Sequence, residues 1–150
     1  MGFYTSVEIS ASGLSAERLA MDVIANNIAN ANTTRTPQGG AFKRQLVVFA
    51  QKPGAPGTSQ GNSGGPFAKP TASVDGVEAV GIVNDQSPDR LVFDPGNPEA
   101  DARGYVHYPN VQVVKEMVDM IAASRAYEAD VAAIQESKTM NNADMQLLRS

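Results

Sequence analysis

One hundred and fifty residues with 42% hydrophobic content are enough for one modest core, or for a rod carrying one small domain. A net charge of -4 and a pI near 4.9 argue against a nucleic-acid partner, because phosphate binding needs clustered Lys and Arg and the twelve here are scattered. Zero cysteines exclude disulfides, zinc-thiolate sites and thiol catalysis, and suit a chain that meets both reducing and oxidising compartments.

The N-terminus shows no basic region followed by an apolar core, and no run approaches eighteen apolar residues, so neither a cleaved signal peptide nor a membrane span is expected. Met1-Gly2-Phe3-Tyr4-Thr5-Ser6 fits the myristoylation pattern, which is short enough to match by chance. Residues 5–32 read as a helix, with Val7, Leu14, Met21 and Ile28 at intervals of seven and Ala11, Ile24 and Ala25 filling the same side. Gly13 costs about 1 kcal/mol of propensity relative to Ala, which predicts a firm start near Ser12 or Ser15 as caps. At the far end Asn26, Asn27, Asn30 and Asn32 crowd together. Asn competes with the backbone inside a helix, so this cluster points to interhelical or capping hydrogen bonds.

The middle is different in kind. Residues 41–50 suit a strand, with Phe42, Leu46 and Val48 on one face. Residues 52–70 hold five Gly and four Pro and read as a flexible loop: a lid, a linker or a segment ordered by assembly. Residues 74–83 read as one or two short strands and residues 90–93 as another, closed by the turn signal Asp94-Pro95-Gly96-Asn97-Pro98; residues 104–108 form a last extended piece. Pro109-Asn110 then opens a long helix, with Asn110 as its cap.

From Val113 apolar or small residues recur at steps of four and three: Met117, Met120, Ser124, Tyr127, Val131, Ile134, and later Met145 and Leu148. A helix over residues 110–148 would be roughly 58 Å long, at ~1.5 Å per residue. It wants a long partner, and the N-terminal helix is the natural one. The fold class expected is α+β. Terminal helices (residues 1–33 and 109–150) pair as a coiled-coil-like rod, with a small loop-rich β domain (residues 34–108) inserted between them. The C-terminal helix exceeds its partner by about two turns or more at ~3.6 residues per turn, so part of its seam, around Arg125 and Tyr127 or residues 140–148, is expected to be covered by neighbouring subunits.

Chemistry is sparse. His107 has no second histidine to share a metal or complete a triad, and reads as a structural or surface residue; a small hydrolase would have to use it with Asp101 or Glu116. Glu128 and Asp130 lie on different sides of a helix, and Glu116 and Asp119, on neighbouring turns, read as a solvated or interface stripe. The doublets Gly39-Gly40 and Gly64-Gly65 precede no helix in a phosphate-cradling pattern. Asn32-Thr33-Thr34 is formally a glycosylation acceptor. No cofactor, metal or catalytic group is expected. The methionines at 117, 120, 140 and 145 suit core or interhelical packing, with an adaptable binding face as the alternative.

Ser10-Ala11-Ser12-Gly13-Leu14 together with residues 24–33 (IANNIANANT) resembles the N-terminal signature of bacterial flagellar rod and hook axial proteins. Gly104-Tyr105-Val106, Pro109-Asn110-Val111, residues 116–120 (EMVDM) and residues 123–129 (ASRAYEA) resemble the C-terminal signature of a proximal-rod member, and the short middle and the 94–98 turn agree. Gln112, Asp130 and Asn97 depart from the usual pattern. The resemblance implies a structural subunit without enzyme activity, exported by the flagellar type III apparatus and polymerised into the basal-body rod. Its partners would be itself, other rod subunits, ring and rod-adapter proteins and the export apparatus. Another axial protein, such as a hook-junction subunit, is the nearest alternative. Subunit contacts are then expected at Val7, Leu14, Met21, Ile24, Asn27, Ile28 and Asn30 of the first helix and at Met117, Met120, Arg125, Tyr127, Val131, Ile134, Met145 and Leu148 of the second.

Overall fold

The computed structural model describes residues 3–52 and 76–147. Almost all of the Gly/Pro-rich 52–70 stretch, together with Met1, Gly2, Val74 and Leu148, lies outside them. The order is α1 (Phe3–Ala29), β1 (Gln45–Gln51), β2 (Val77–Asn84), β3 (Arg90–Phe93), β4 (Tyr105–Tyr108) and α2 (Val113–Leu147). Helices at the two ends with antiparallel sheets between them make an α+β chain.

Helix α1 runs unbroken through Gly13, so Ser12 and Ser15 do not start it. Each hydroxyl donates back to the preceding turn, Ser12 Oγ to the Ile9 carbonyl at 2.6 Å and Ser15 Oγ to the Ser12 carbonyl at 2.8 Å. Ser12 Oγ also accepts from the Val77 amide at 3.1 Å, which stitches β2 to the helix. Gly76 makes that approach possible: its φ is +74°, and a Cβ there would overlap Ser12 Oγ. The asparagine cluster closes the helix, because Asn30 Nδ2 donates to both the carbonyl and the side chain of Asn26 at 3.0 Å and the Thr33 amide bonds the Asn30 carbonyl at 3.0 Å.

Strand β1 begins at Gln45, later than its composition suggests, since the Phe42 amide turns back to the Thr33 carbonyl at 3.0 Å. It pairs antiparallel with β2, Leu46 opposite Val83 and Val48 opposite Gly81; Phe49 then faces Ala79, so Val80 is a bulge residue. Strands β3 and β4 form a separate two-stranded sheet, Phe93 opposite Tyr105, with their rings edge to face at 5.3 Å. The expected 94–98 turn is present, and Asp101 closes the return by accepting the amides of Arg103 (2.8 Å) and Tyr105 (2.9 Å). Those hydrogen bonds, the Tyr105 amide foremost, hold the Asp101 carboxyl below the usual aspartate range.

Helix α2 starts at Val113, with the Gln112 carbonyl accepting the Glu116 amide at 3.0 Å, so Asn110 is not its cap. Asn110 Oδ1 instead accepts the Arg44 amide at 2.8 Å, and its Nδ2 reaches the carbonyls of Asp85 and Ser87. The helix packs along α1, and both β1 and β2 also rest on α1. Two contacts fix the α1–α2 register. Asn27 bonds Glu116, and Gly13 lies against Asp130, where a Cβ would overlap the carboxylate. The pair is therefore antiparallel. Phe3 comes level with Met140, and residues 141–147 run past it, in keeping with 35 residues against 27.

Among the described residues the buried apolar side chains are Ala16, Val23, Ala31, Ala41, Val106 and Ala123. None is larger than valine. Fully buried positions instead include Glu116 and Asn27, while Val80, Leu91, Phe93, Val114, Val118, Ile121 and Leu147 are more than half exposed. Apolar burial of this size supplies little of the driving force that an independent domain needs.

Candidate assembly surface

The centre of the molecule is an ionic hub. Arg44, entering β1, places Nε 2.5 Å from Glu116 Oε1, Nη2 3.2 Å from Asp119 Oδ2 and Nη1 4.0 Å from Asp85 Oδ2. Glu116 Oε2 accepts from Asn27 Nδ2 at 2.9 Å. The Asn27 side chain also spans the Gln45 backbone, donating to its carbonyl at 2.8 Å and accepting its amide at 2.9 Å. Asn27 of α1, Gln45 of β1 with Arg44 just before it, and Glu116 and Asp119 of α2 thus meet in a site from which Glu116 and Asn27 show almost no surface. No buried side-chain polar atom among the described residues lacks a partner, the condition under which a buried charge is tolerated.

Glu116 and Asp119 are therefore not a solvated stripe; they clamp one guanidinium, and Glu116 is wholly enclosed. Two hydrogen bonds from Ser87, Oγ at 2.6 Å and N at 2.9 Å, and then the Arg44 charge, lower the Asp85 carboxyl. Glu17 moves the other way, raised first by burial and then by Asp130. His107 is half exposed, with Nδ1 3.7 Å from Asp89, which already holds Lys43 at 2.6 Å. Glu116 is committed to Arg44 and Asn27 and is not free to serve His107 as a catalytic partner, and Asp101 gives its Oδ1 to two turn amides. No group of three potential metal ligands occurs among the described residues.

The inner face of α2 is not the apolar row read from the sequence. Half-buried or buried positions follow Glu116, Met120, Ala123, Tyr127, Asp130, Ile134 and Ser137, again in steps of four and three. Met120, Tyr127 and Ile134 belong to both rows. Met117, Ser124 and Val131 sit one residue away from Glu116, Ala123 and Asp130, and of the three only Ser124 and Val131 are half-buried. Val113, Met117 and Met145 are exposed, as is Arg125. On α1 the buried positions are Ala16, Val23 and Asn27; Val7, Leu14, Met21, Ile24, Ile28 and Asn30 are intermediate. Leu148 falls outside the described residues. The hub could have been read in part from the asparagine cluster, whereas a lone Arg44 in a strand-like run gave no signal.

Outward, Val113, Val114, Met117, Val118 and Ile121 form an exposed apolar face on the first turns of α2. The outward positions of α1 are instead small or charged, as in Ala11, Ser15, Arg18, Asp22, Ala25 and Ala29. An open groove of about 480 Å³ lies between the first half of α1 and β2, lined by Glu8, Ser12, Ser15, Lys52, Val77 and Ala79 among others. No helix among the described residues is long and apolar enough to cross a membrane.

Residues 8–35 match the family model described as "Flagella basal body rod protein", and residues 102–147 match "Flagellar basal body rod FlgEFG protein C-terminal". The chain is 42% identical to the flagellar basal-body rod protein FlgC of Borreliella burgdorferi, with 99% of each chain covered. It is 39% identical to FlgC of Escherichia coli O6:H1, over 93% of each chain. Against FlgC of Bacillus subtilis it is 36% identical, over 93% of this chain and 94% of the relative.

Proposed function

The chain belongs to the FlgC family of flagellar basal-body rod proteins, and from that premise we propose how its parts divide the work of building a rod. It is a structural subunit of the basal-body rod and not an enzyme. In our reading it forms part of the proximal rod, is delivered by the flagellar type III export apparatus, and joins other rod subunits, itself, and ring and rod-adapter proteins. Residues 1–33 and 109–150 act as a coiled-coil-like rod core, and residues 34–108 form a loop-rich β insertion. Val7, Leu14, Met21, Ile28, Met117, Arg125 and Met145 meet neighbouring subunits.

One observation carries this division: among the described residues no buried apolar side chain is larger than valine, while Leu91, Phe93, Val114, Val118 and Ile121 are more than half exposed. A chain with heterologous contact surfaces builds an open helical array, and helices short of a core gain stability when neighbours bind the folded form alone. The hub suits that task, because it fixes the relative placement of α1, β1 and α2 by directional bonds where apolar packing is thin. Subunit-resolved cryo-microscopy of basal bodies tests the reading. Density for this chain in the proximal rod, with both helices in the tube wall, is the expected result. Density in the hook junction, or with the helices away from the wall, would refute the placement.

A further inference from the structure

We infer that the outward face of α2 in one subunit docks antiparallel on the outward face of α1 in the next copy of this chain, an inference that rests on the rod-subunit reading. The α2 face follows Val114, Val118, Ile121, Arg125, Glu128 and Ala132, in steps of four and three, and all six are exposed. The α1 face follows Glu8, Ala11, Ser15, Arg18, Asp22 and Ala25 with the same steps, and it too is exposed. Copies related by one repeated helical step share a direction, so α2 of one meets α1 of the next antiparallel, as the two do within a subunit.

A single register then matches both charge and size. With Arg125 level with Asp22, Glu128 falls within one residue of Arg18. In the same register Ile121 meets Ala25 and Val118 meets Ala29, large side chains against small ones that let the helices approach. A slip of seven residues one way leaves no opposite-charge match, and the other way leaves only Glu136 opposite Arg18. Arg18, Asp22, Arg125 and Glu128 form no ion pair within the subunit among the described residues, while Glu8 makes a surface contact with Lys52 at 3.6 Å. Such rim charges select partner and register more than they add affinity.

The cysteine-free sequence makes the test direct. Ala25→Cys and Ile121→Cys are introduced together into the full chain, and isolated basal bodies are treated with a short bismaleimide. Both positions point away from the helix pair, so the link cannot close within one subunit. A ladder of dimers and higher multimers is expected, absent from either single variant and from the one-heptad-slipped pair Ala25→Cys with Val114→Cys. Basal bodies that contain the double variant but yield monomer only, links to a chain of different mass, or equal yield from the slipped pair overturn the docking and leave the family reading standing. Absence of the unsubstituted chain from basal bodies would remove that reading and the docking with it. Arg125→Asp should also abolish the ladder, and adding Asp22→Arg in the same chain should restore it; no rescue counts against the register.

Discussion

Arg44→Met is the perturbation that asks most of the hub. It removes the guanidinium 2.5 Å from Glu116 and leaves a carboxylate with no exposed surface holding only the Asn27 amide at 2.9 Å. Stripping the partner from a buried ion costs about 3–5 kcal/mol. An ordinary domain has only ~5–15 kcal/mol in total, and here no buried apolar side chain among the described residues exceeds valine. Trimethylamine oxide is added until the otherwise marginal monomer shows a cooperative urea transition by circular dichroism, and the midpoint of that transition reads the loss. At a slope of about 2 kcal/mol per molar, the midpoint should fall by about 2 M. Arg44→Met combined with Glu116→Leu should recover much of it, because no charge is then buried alone, although Asn27 loses one acceptor at about 1 kcal/mol. A single variant within about 0.5 kcal/mol of the unsubstituted chain would refute the claim that the hub holds three elements together.

Glu17 carries a pH signature. Its folded pKa is raised, by burial first and Asp130 second, so its contribution favours folding below its ordinary pKa and is lost as pH rises through the raised value. Glu17→Gln should therefore stabilise the helix pair at pH 7 relative to the unsubstituted chain, with no such gain near pH 4; paired urea titrations in trimethylamine oxide at the two pH values check this. Gly76→Ala should destabilise by about 1–2 kcal/mol and weaken hydrogen-exchange protection at the start of β2, because φ +74° suits glycine and the new methyl meets Ser12 Oγ. Leu14→Asp or Ile28→Asp should abolish motility by setting an unpaired charge in a subunit contact, whereas His107→Ala should leave swimming intact, as measured by spreading in soft agar.

How much of this could be read in advance depended on what each position does. Strands β3 and β4 and the turn at residues 94–98 were legible because turn chemistry punctuates them locally. The excess length of α2 was legible because no Gly or Pro interrupts it. Its inner face was not. A search for apolar periodicity passes over Glu116 and Asp130, because Glu116 is buried against Arg44 and the half-buried Asp130 fits where Gly13 lacks a Cβ, partners from distant parts of the chain. Gly13 itself argues against a helix on propensity alone, yet tertiary packing requires it there. Asn27 was half legible: the cluster announced hydrogen bonds between elements but could not name Glu116 and Gln45 as their ends.

Dependence of the helices on neighbouring subunits is the central claim, and far-ultraviolet circular dichroism of the purified full chain at micromolar concentration tests it most directly. The account predicts weak helicity that melts at low temperature without a sharp transition in the monomer, alongside strongly protected amides in both helices when the same chain is followed by hydrogen exchange within intact basal bodies. A monomer that is fully helical and unfolds cooperatively at high temperature would contradict it.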